Sequence, residues 1–238
     1  LQVIVDKRYE LLLPEKRPFF LENAAIFQTP QPLLFSRRIA APNLGARFTG
    51  RSEKWSYGAM LIDDESLGKN LPRGDRRFGK NAHVSVARVQ NDFAKGSNFG
   101  ALFTDRRFDG ISNSVLGFDV RQSLDENWNL TAQIAQSRSI NGAAQSRPGN
   151  LKSLGLKHKG HNFNYEGTLL DISPNFDTSL AFLPRTDVRQ FTQESEYFWN
   201  FSDHAWLQSI APLLVTEITK DHQNKTQDWF VDAAVLIT

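Results

Sequence analysis

The sequence predicts an all-β protein: a transmembrane antiparallel up-and-down β-barrel, present in part, with about eleven strands. Three observations carry this reading. Apolar and polar residues alternate with a period of two, the alternating runs last roughly nine to thirteen residues, and the connections between them are short and long by turns. Helical periodicity is nowhere sustained.

Residues 1–40 read as a lead-in segment and 41–238 as barrel strands. In the first part, "LPEKRPFFLEN" (13–23) sets Pro14 and Pro18 against a Phe-Phe-Leu run. Each proline removes a backbone donor and fixes φ, so the stretch is a shaped connector rather than a helix or a core strand. Phe19, Phe20 and Leu21 are expected to anchor it on an apolar surface. Glu15, Lys16 and Arg17 are expected to face the lumen or a periplasmic partner, with Arg37 and Arg38 pairing with Glu15 or Glu22. A folding clamp at the periplasmic mouth is the simpler role for it.

Strands are expected near 43–51, 55–63, 82–93, 97–106, 113–124, 127–138, 150–159, 161–172, 189–201, 205–219 and 228–238. In the second, Trp55, Tyr57, Ala59 and Leu61 oppose Ser56, Gly58 and Met60. In the fifth, Leu116, Phe118 and Val120 oppose Gly117, Asp119 and Arg121. Trp128, Leu130, Ala132 and Ile134 alternate with Asn129, Thr131, Gln133 and Ala135 in the sixth. Phe163, Tyr165, Gly167 and Leu169 alternate with Asn162, Asn164, Glu166 and Thr168. Phe191, Tyr197, Trp199 and Phe201 share a face opposite Thr192, Glu194 and Glu196. Short turns at 52–54, 94–96, 125–127, Gly160 and 202–204 alternate with longer loops at 64–81, 139–149, 173–188 and 220–227, and a moderate one at "RFDGIS".

A soluble β-sandwich binding domain is the alternative fold. Strands this long, with a polar face rich in Asn, Gln, Ser, Thr and paired charges, suit a water-filled lumen better than a sandwich core that must satisfy each group. Trp55, Trp128, Tyr197, Trp199, Trp206 and Trp229 lie near strand ends, as interfacial girdles require. The strand-like "WFVDAAVLIT" at 229–238 implies that the barrel continues.

Composition excludes some chemistry. There is no cysteine, hence neither a disulfide framework nor a thiolate metal site, and 28 basic against 26 acidic residues provide no footprint for nucleic acid. No run is long and apolar enough for a membrane-spanning helix. HExxH, GxSxG and phosphate-cradling glycine loops are missing, and His158 and His161 in "HKGH" read as a solvated turn. No metal and no cofactor is expected.

The stretches "LLLPEKRPFFLENAAIF", "LLFSRRI", "LGARFTGRSEKWSYGAMLI", "SVARVQNDFAKGSNFGALFTDRRF" and "FDTSLAFLPRTDVRQF" occur in that order. Together they resemble a family of bacterial outer-membrane proteins in which a β-barrel region of unknown function follows a domain similar to family 9 carbohydrate-binding modules. The resemblance implies a bacterial outer-membrane location, polysaccharide as partner, outer-membrane lipid around the wall, a glycan-binding domain upstream and further strands after Thr238.

Two functional expectations follow: a surface protein that binds or takes up polysaccharide, or a glycoside hydrolase with carboxylates at the barrel mouth. The catalytic candidates are Asp63 and Asp64, beside Glu65, and the pair Glu194 and Glu196. Trp55, Arg37, Arg38 and Trp199 are candidates for holding substrate. Arg73, Arg76 and Arg77, with Lys69 and Lys80, form a basic loop suited to lipopolysaccharide phosphates or another polyanion. Asp171, Asp177 and Asp187 surround a further loop.

Overall fold

The computed structural model describes residues 14–142, 144–145, 148–201 and 207–237. They form one antiparallel sheet in which each long strand pairs with the next in sequence. The long strands are β1 (Pro42–Ser52), β2 (Trp55–Asp64), β3 (Ala82–Ala94), β4 (Ser97–Phe108), β5 (Ile111–Ser123), β6 (Trp128–Asn141), β8 (Gly149–Lys159), β9 (Phe163–Ile172), β10 (Val188–Tyr197), β12 (Ser209–Lys220) and β13 (Thr226–Ile237). Two-residue strands β7 (Ala144–Gln145) and β11 (Trp199–Asn200) pair with β6 and β12. Among the described residues no ladder joins β1 to β13, so the meander is an open, partial barrel. Trp206 and the turn 202–204 lie outside the described residues.

One connection differs from expectation. The β4–β5 link is not a moderate loop but the two-residue turn Asp109–Gly110, both with positive φ. Asp-Gly suits a tight hairpin whose twist matches its strands. The flanking charges resembled a loop, yet Arg107 lies within β4 and pairs there with Asp105. The strict alternation of short and long connections therefore breaks at this hairpin.

The two faces of the sheet have inverted polarity. The convex face exposes Leu61, Phe118, Ile134, Leu154 and Leu169, each over 40 % accessible. The concave face buries Arg88, Thr104, Asn113, Asp119, Gln133 and Ser137. The convex residues Leu116, Phe118, Val120 and Gln122 of β5, with Leu124 just past its end, span roughly 26 Å at about 3.3 Å per residue.

Residues 14–41 fill the concave side as a U. The descending limb carries helix α1 (Pro18–Leu21), started by Pro18 where a missing N–H costs nothing. Asn23 Nδ2 reaches Thr49 Oγ1, and Arg88 Nε donates to the carbonyl of Ile26. The base crosses to the far wall, where the amide N–H of Gln31 donates to Gln133 Oε1 at 2.6 Å and Gln133 Nε2 returns a bond to the Gln31 carbonyl. The ascending limb ends where Ala41 N–H meets Asp64 Oδ1, beside the start of β1. Arg17 staples the limbs together, donating to Glu15, to the Ser36 carbonyl and to the Ile39 carbonyl while lying 4.3 Å over the Phe20 ring. The proline-framed "PEKRP" thus closes the top of a plug.

Glycines in the wall make room for it. A Cβ at Gly58 would sit 2.7 Å from Phe27 and one at Gly117 2.5 Å from Leu33, so each glycine is a notch for a plug side chain. Phe20, Phe27, Leu33 and Ile39 pack there against Met60, Ile62, Val84, Val86, Leu102 and Val115. The loop 173–187 folds over the same end, adding Phe176 and Leu180, and the Leu180 carbonyl accepts the Phe35 N–H. The apolar core is thus the plug, the wall around it and this loop.

Candidate functional site: the polar half of the lumen

Where plug and loop 173–187 stop, the concave face becomes polar. Toward the turns at 53–54, 95–96, 124–127 and 160–162 lies a cavity of about 680 Å³ lined by Arg51, Asp92, Asn98, Arg121, Asn129, Thr131, Lys157, Glu166 and Thr168. Their common direction follows from parity along each strand and from ladder pairs such as Arg121 with Thr131 and Lys157 with Glu166. Gly155 keeps the wall open, since a Cβ there would lie 2.6 Å from Thr131 Oγ1.

The charges in this vestibule are mostly paired. Arg51 donates to Asp92 at 2.9 Å and Lys157 to Glu166 at 2.5 Å. Arg121, between them, has no ion-pair partner among the described residues. Above the vestibule Arg88 makes two bonds to Asp119, at 2.5 and 2.9 Å, with both side chains almost wholly buried. Its guanidinium lies across Gly100, where a Cβ would be 2.6 Å away. Hydroxyl, amide and guanidinium groups converging on one cavity suit a polyhydroxylated or anionic solute.

Of the carboxylates named from sequence, one pair separates and the other shares a face. Asp63 and Asp64 face opposite sides of β2. Asp63 accepts from Asn81 on the convex side, whereas Asp64 is fully buried, accepting from Arg106, Ser66 and the Ala41 N–H. Glu194 and Glu196 both face inward on β10. The direct cross-strand neighbour of Glu194 is Glu166, at the rim of the vestibule. Glu166 and Arg121 were not singled out from sequence, although the alternation of "NYEGT" and "FDVRQ" carries their direction.

Trp55 and Trp199 lie on the convex face at the short-turn end. Trp55 packs edge-on against Phe99, and Trp199 lies 5.0 Å from Tyr197. Trp128 packs at a tilt against His158, with ring centroids 4.5 Å apart, and lies near Tyr165, extending the same aromatic row. His158 Nδ1 faces the Phe163 carbonyl at 2.9 Å, and no cluster of metal-binding side chains occurs among the described residues.

Arg37 bonds to the Pro14 carbonyl and Arg38 to that of Ala181, while Glu15 is occupied by Arg17 and the Ser36 hydroxyl. These residues belong to the closed end, away from the vestibule. In the loop 65–81, the Arg77 side chain holds the Asp75 carboxyl well below the usual range. Arg76 and Lys80 converge on Asp109, and Arg73 lies in the same loop. Asp171 and Asp187 clasp His222, at 3.1 and 2.8 Å, and Asp177 accepts from Ser139. The chain matches no protein-family model and no curated protein.

Proposed function

We propose that this chain is the plugged wall of a bacterial outer-membrane barrel that binds or takes up polysaccharide, with the polar vestibule receiving the sugar. The inverted polarity carries the reading: an apolar convex band, an aromatic row along the short-turn end, and a buried ion pair, Arg88 with Asp119, on the concave side. Water or lipid decides which face tolerates what. A lone water-soluble sheet has no reason to expose Phe118, Ile134 and Leu169 while burying Arg88 and Asp119. Polysaccharide as the solute is supported by the resemblance noted above and by the vestibule's hydroxyl and amide lining.

In this reading the short turns face the periplasm and the long loops the exterior. The plug and loop 173–187 then close the outer half, and a sugar reaching the vestibule passes only if the plug moves or docks it there.

Two measurements test the proposal. The membrane reading requires the protein to enter the detergent phase in a cloud-point separation and to show heat-modifiable migration, and recovery from the aqueous phase overturns it. The glycan reading requires a panel of soluble glucan, xylan and mannan oligosaccharides to contain a binder weakened about tenfold or more by Arg121→Ala. A panel without binders overturns that part.

A hydrolytic reading rests on one observation, the apposition of Glu194 and Glu166, since directly opposite strand residues have Cβ atoms about 5 Å apart. It requires sugar release that Glu194→Gln and Glu166→Gln each abolish with the barrel still folded. Release unaffected by either variant removes this pair.

A further inference from the structure

The convex face carries two adjacent cross-strand rows of opposite character. One runs Leu154, Leu169, Phe191, Ile218 and Trp229 across five neighbouring strands. Two residues further toward the long loops, the next row runs Ile134, Lys152, Asp171, Arg189 and Lys220. Between them lies a groove of about 490 Å³ whose floor is Ile134, Leu154, Leu169, Phe191 and Ile218.

The second row is cationic in effect. Lys152, Arg189 and Lys220 are exposed. Asp171, the single acid among them, is already engaged by His222 at 3.1 Å and by Arg189 at 3.7 Å. Neither Lys152 nor Lys220 has an ion-pair partner among the described residues. At about 4.8 Å between strands, the two lysines stand roughly 14 Å apart along the wall. The row therefore presents two cationic poles that no carboxylate has taken, Lys152 at one side and Lys220 at the other.

We propose that this groove binds a bisphosphorylated glycolipid of lipid A type, its acyl chains on the Leu154–Trp229 row and its two phosphates on the two poles. The inference rests on the membrane reading above. Charge complementarity and placement select the occupant. An acyl chain needs the apolar row, a phosphate needs cations that no protein carboxylate has taken, and the row borders the long-loop rim that faces the outer leaflet. A lipid with one phosphate would engage one pole only. The basic loop 65–81 is a weaker candidate, because Arg77 and Lys80 are held by Asp75 and Asp109.

The test is native mass spectrometry of the detergent-purified protein titrated with bisphosphorylated lipid A, monophosphorylated lipid A and phosphatidylglycerol. The proposal expects wild type to prefer the bisphosphorylated form. It expects Lys152→Ala/Lys220→Ala to lose that binding by about tenfold or more, and Lys152→Arg/Lys220→Arg to keep it. Equal binding by wild type and the double alanine variant, or phosphatidylglycerol bound as well as lipid A, overturns it. Heat-modifiable migration of each variant shows separately that the barrel is folded. A wild type that never partitions into detergent refutes the membrane reading, whereas a folded, partitioning protein indifferent to lipid A refutes the glycolipid site alone.

Discussion

Arg88 and Asp119 show what a buried charge needs in this interior. Each is nearly inaccessible, the pair shares two hydrogen bonds, and the remaining Arg88 Nε donates to the plug at Ile26. Removing one partner leaves the other ionised and unpaired. Asp119→Ala is expected to cost about 3–5 kcal/mol in a denaturant titration of the folded protein, and Arg88→Met/Asp119→Leu to recover most of it. A cost within about 0.5 kcal/mol for Asp119→Ala would show that the pair is solvated. Glu15 provides a pH-dependent counterpart at the top of the plug. The Arg17 guanidinium, assisted by the Ser36 hydroxyl and two backbone N–H groups, outweighs desolvation and holds its carboxyl well below the ordinary 4.5. A depressed folded-state value means that the ionised form stabilises the plug above the ordinary value, and that this contribution drains away as pH falls from there toward the depressed one. Protection factors of the amides at residues 36–39, taken relative to intrinsic exchange at each pH, should therefore fall as the pH drops below about 4.5. Glu15→Gln should exchange faster at neutral pH and flatten the profile.

At the scale of the element, the plug is held by shape as much as by polar bonds. Leu33 is fully buried against the bare backbone of Gly117, and Phe27 against that of Gly58. Leu33→Ala is expected to destabilise plug docking by about 2–5 kcal/mol. Gly117→Val should displace the ascending limb outright and open Arg37 and Arg38 to trypsin while the strands stay protected. Adding Leu33→Ala to Gly117→Val should restore part of the protection, a coupling that a general loss of folding would not produce. The strands themselves were legible from their local period: the pattern places Trp55, Phe118, Ile134 and Leu169 on one face, and the structure exposes all four together. The Asp109–Gly110 hairpin was misread because Arg107 and Asp109 looked like loop charges, whereas Arg107 pairs with Asp105 inside the strand and Asp109 with Lys80 from a loop twenty-nine residues away. Such a pairing has no local signature. Nor has the U of residues 14–41, whose bonds to Gln133, Ser153 and Ala181 span more than a hundred residues.

For the whole molecule, the medium outside the sheet governs stability. If lipid covers the convex face, Phe118→Lys at mid-height should cost about 2–4 kcal/mol, and a lysine at Ser112 near the long-loop end about 0–1 kcal/mol. In water both would lie within about 0.5 kcal/mol, because Phe118 is already 49 % accessible. Refolding yields in detergent with each variant discriminate the two cases. Among the described residues the outer edges of β1 and β13 are unpaired, which adds a second demand, since exposed ladder groups recruit other strands. The 238-residue chain refolded without detergent is expected to aggregate, and a monodisperse detergent-free monomer would contradict that.

The sequence by itself determined the strands, their direction of facing and the inverted polarity of the two faces, because a period of two is written residue by residue and needs no distant partner. Tertiary structure alone decided that "PEKRP" staples a U inside the sheet, that Asp64 is buried against Arg106 and the Ala41 N–H, and that Glu194 stands directly opposite Glu166. These outcomes depend on register and on which distant wall a loop reaches, and both are settled only when the sheet wraps and its concave side is filled.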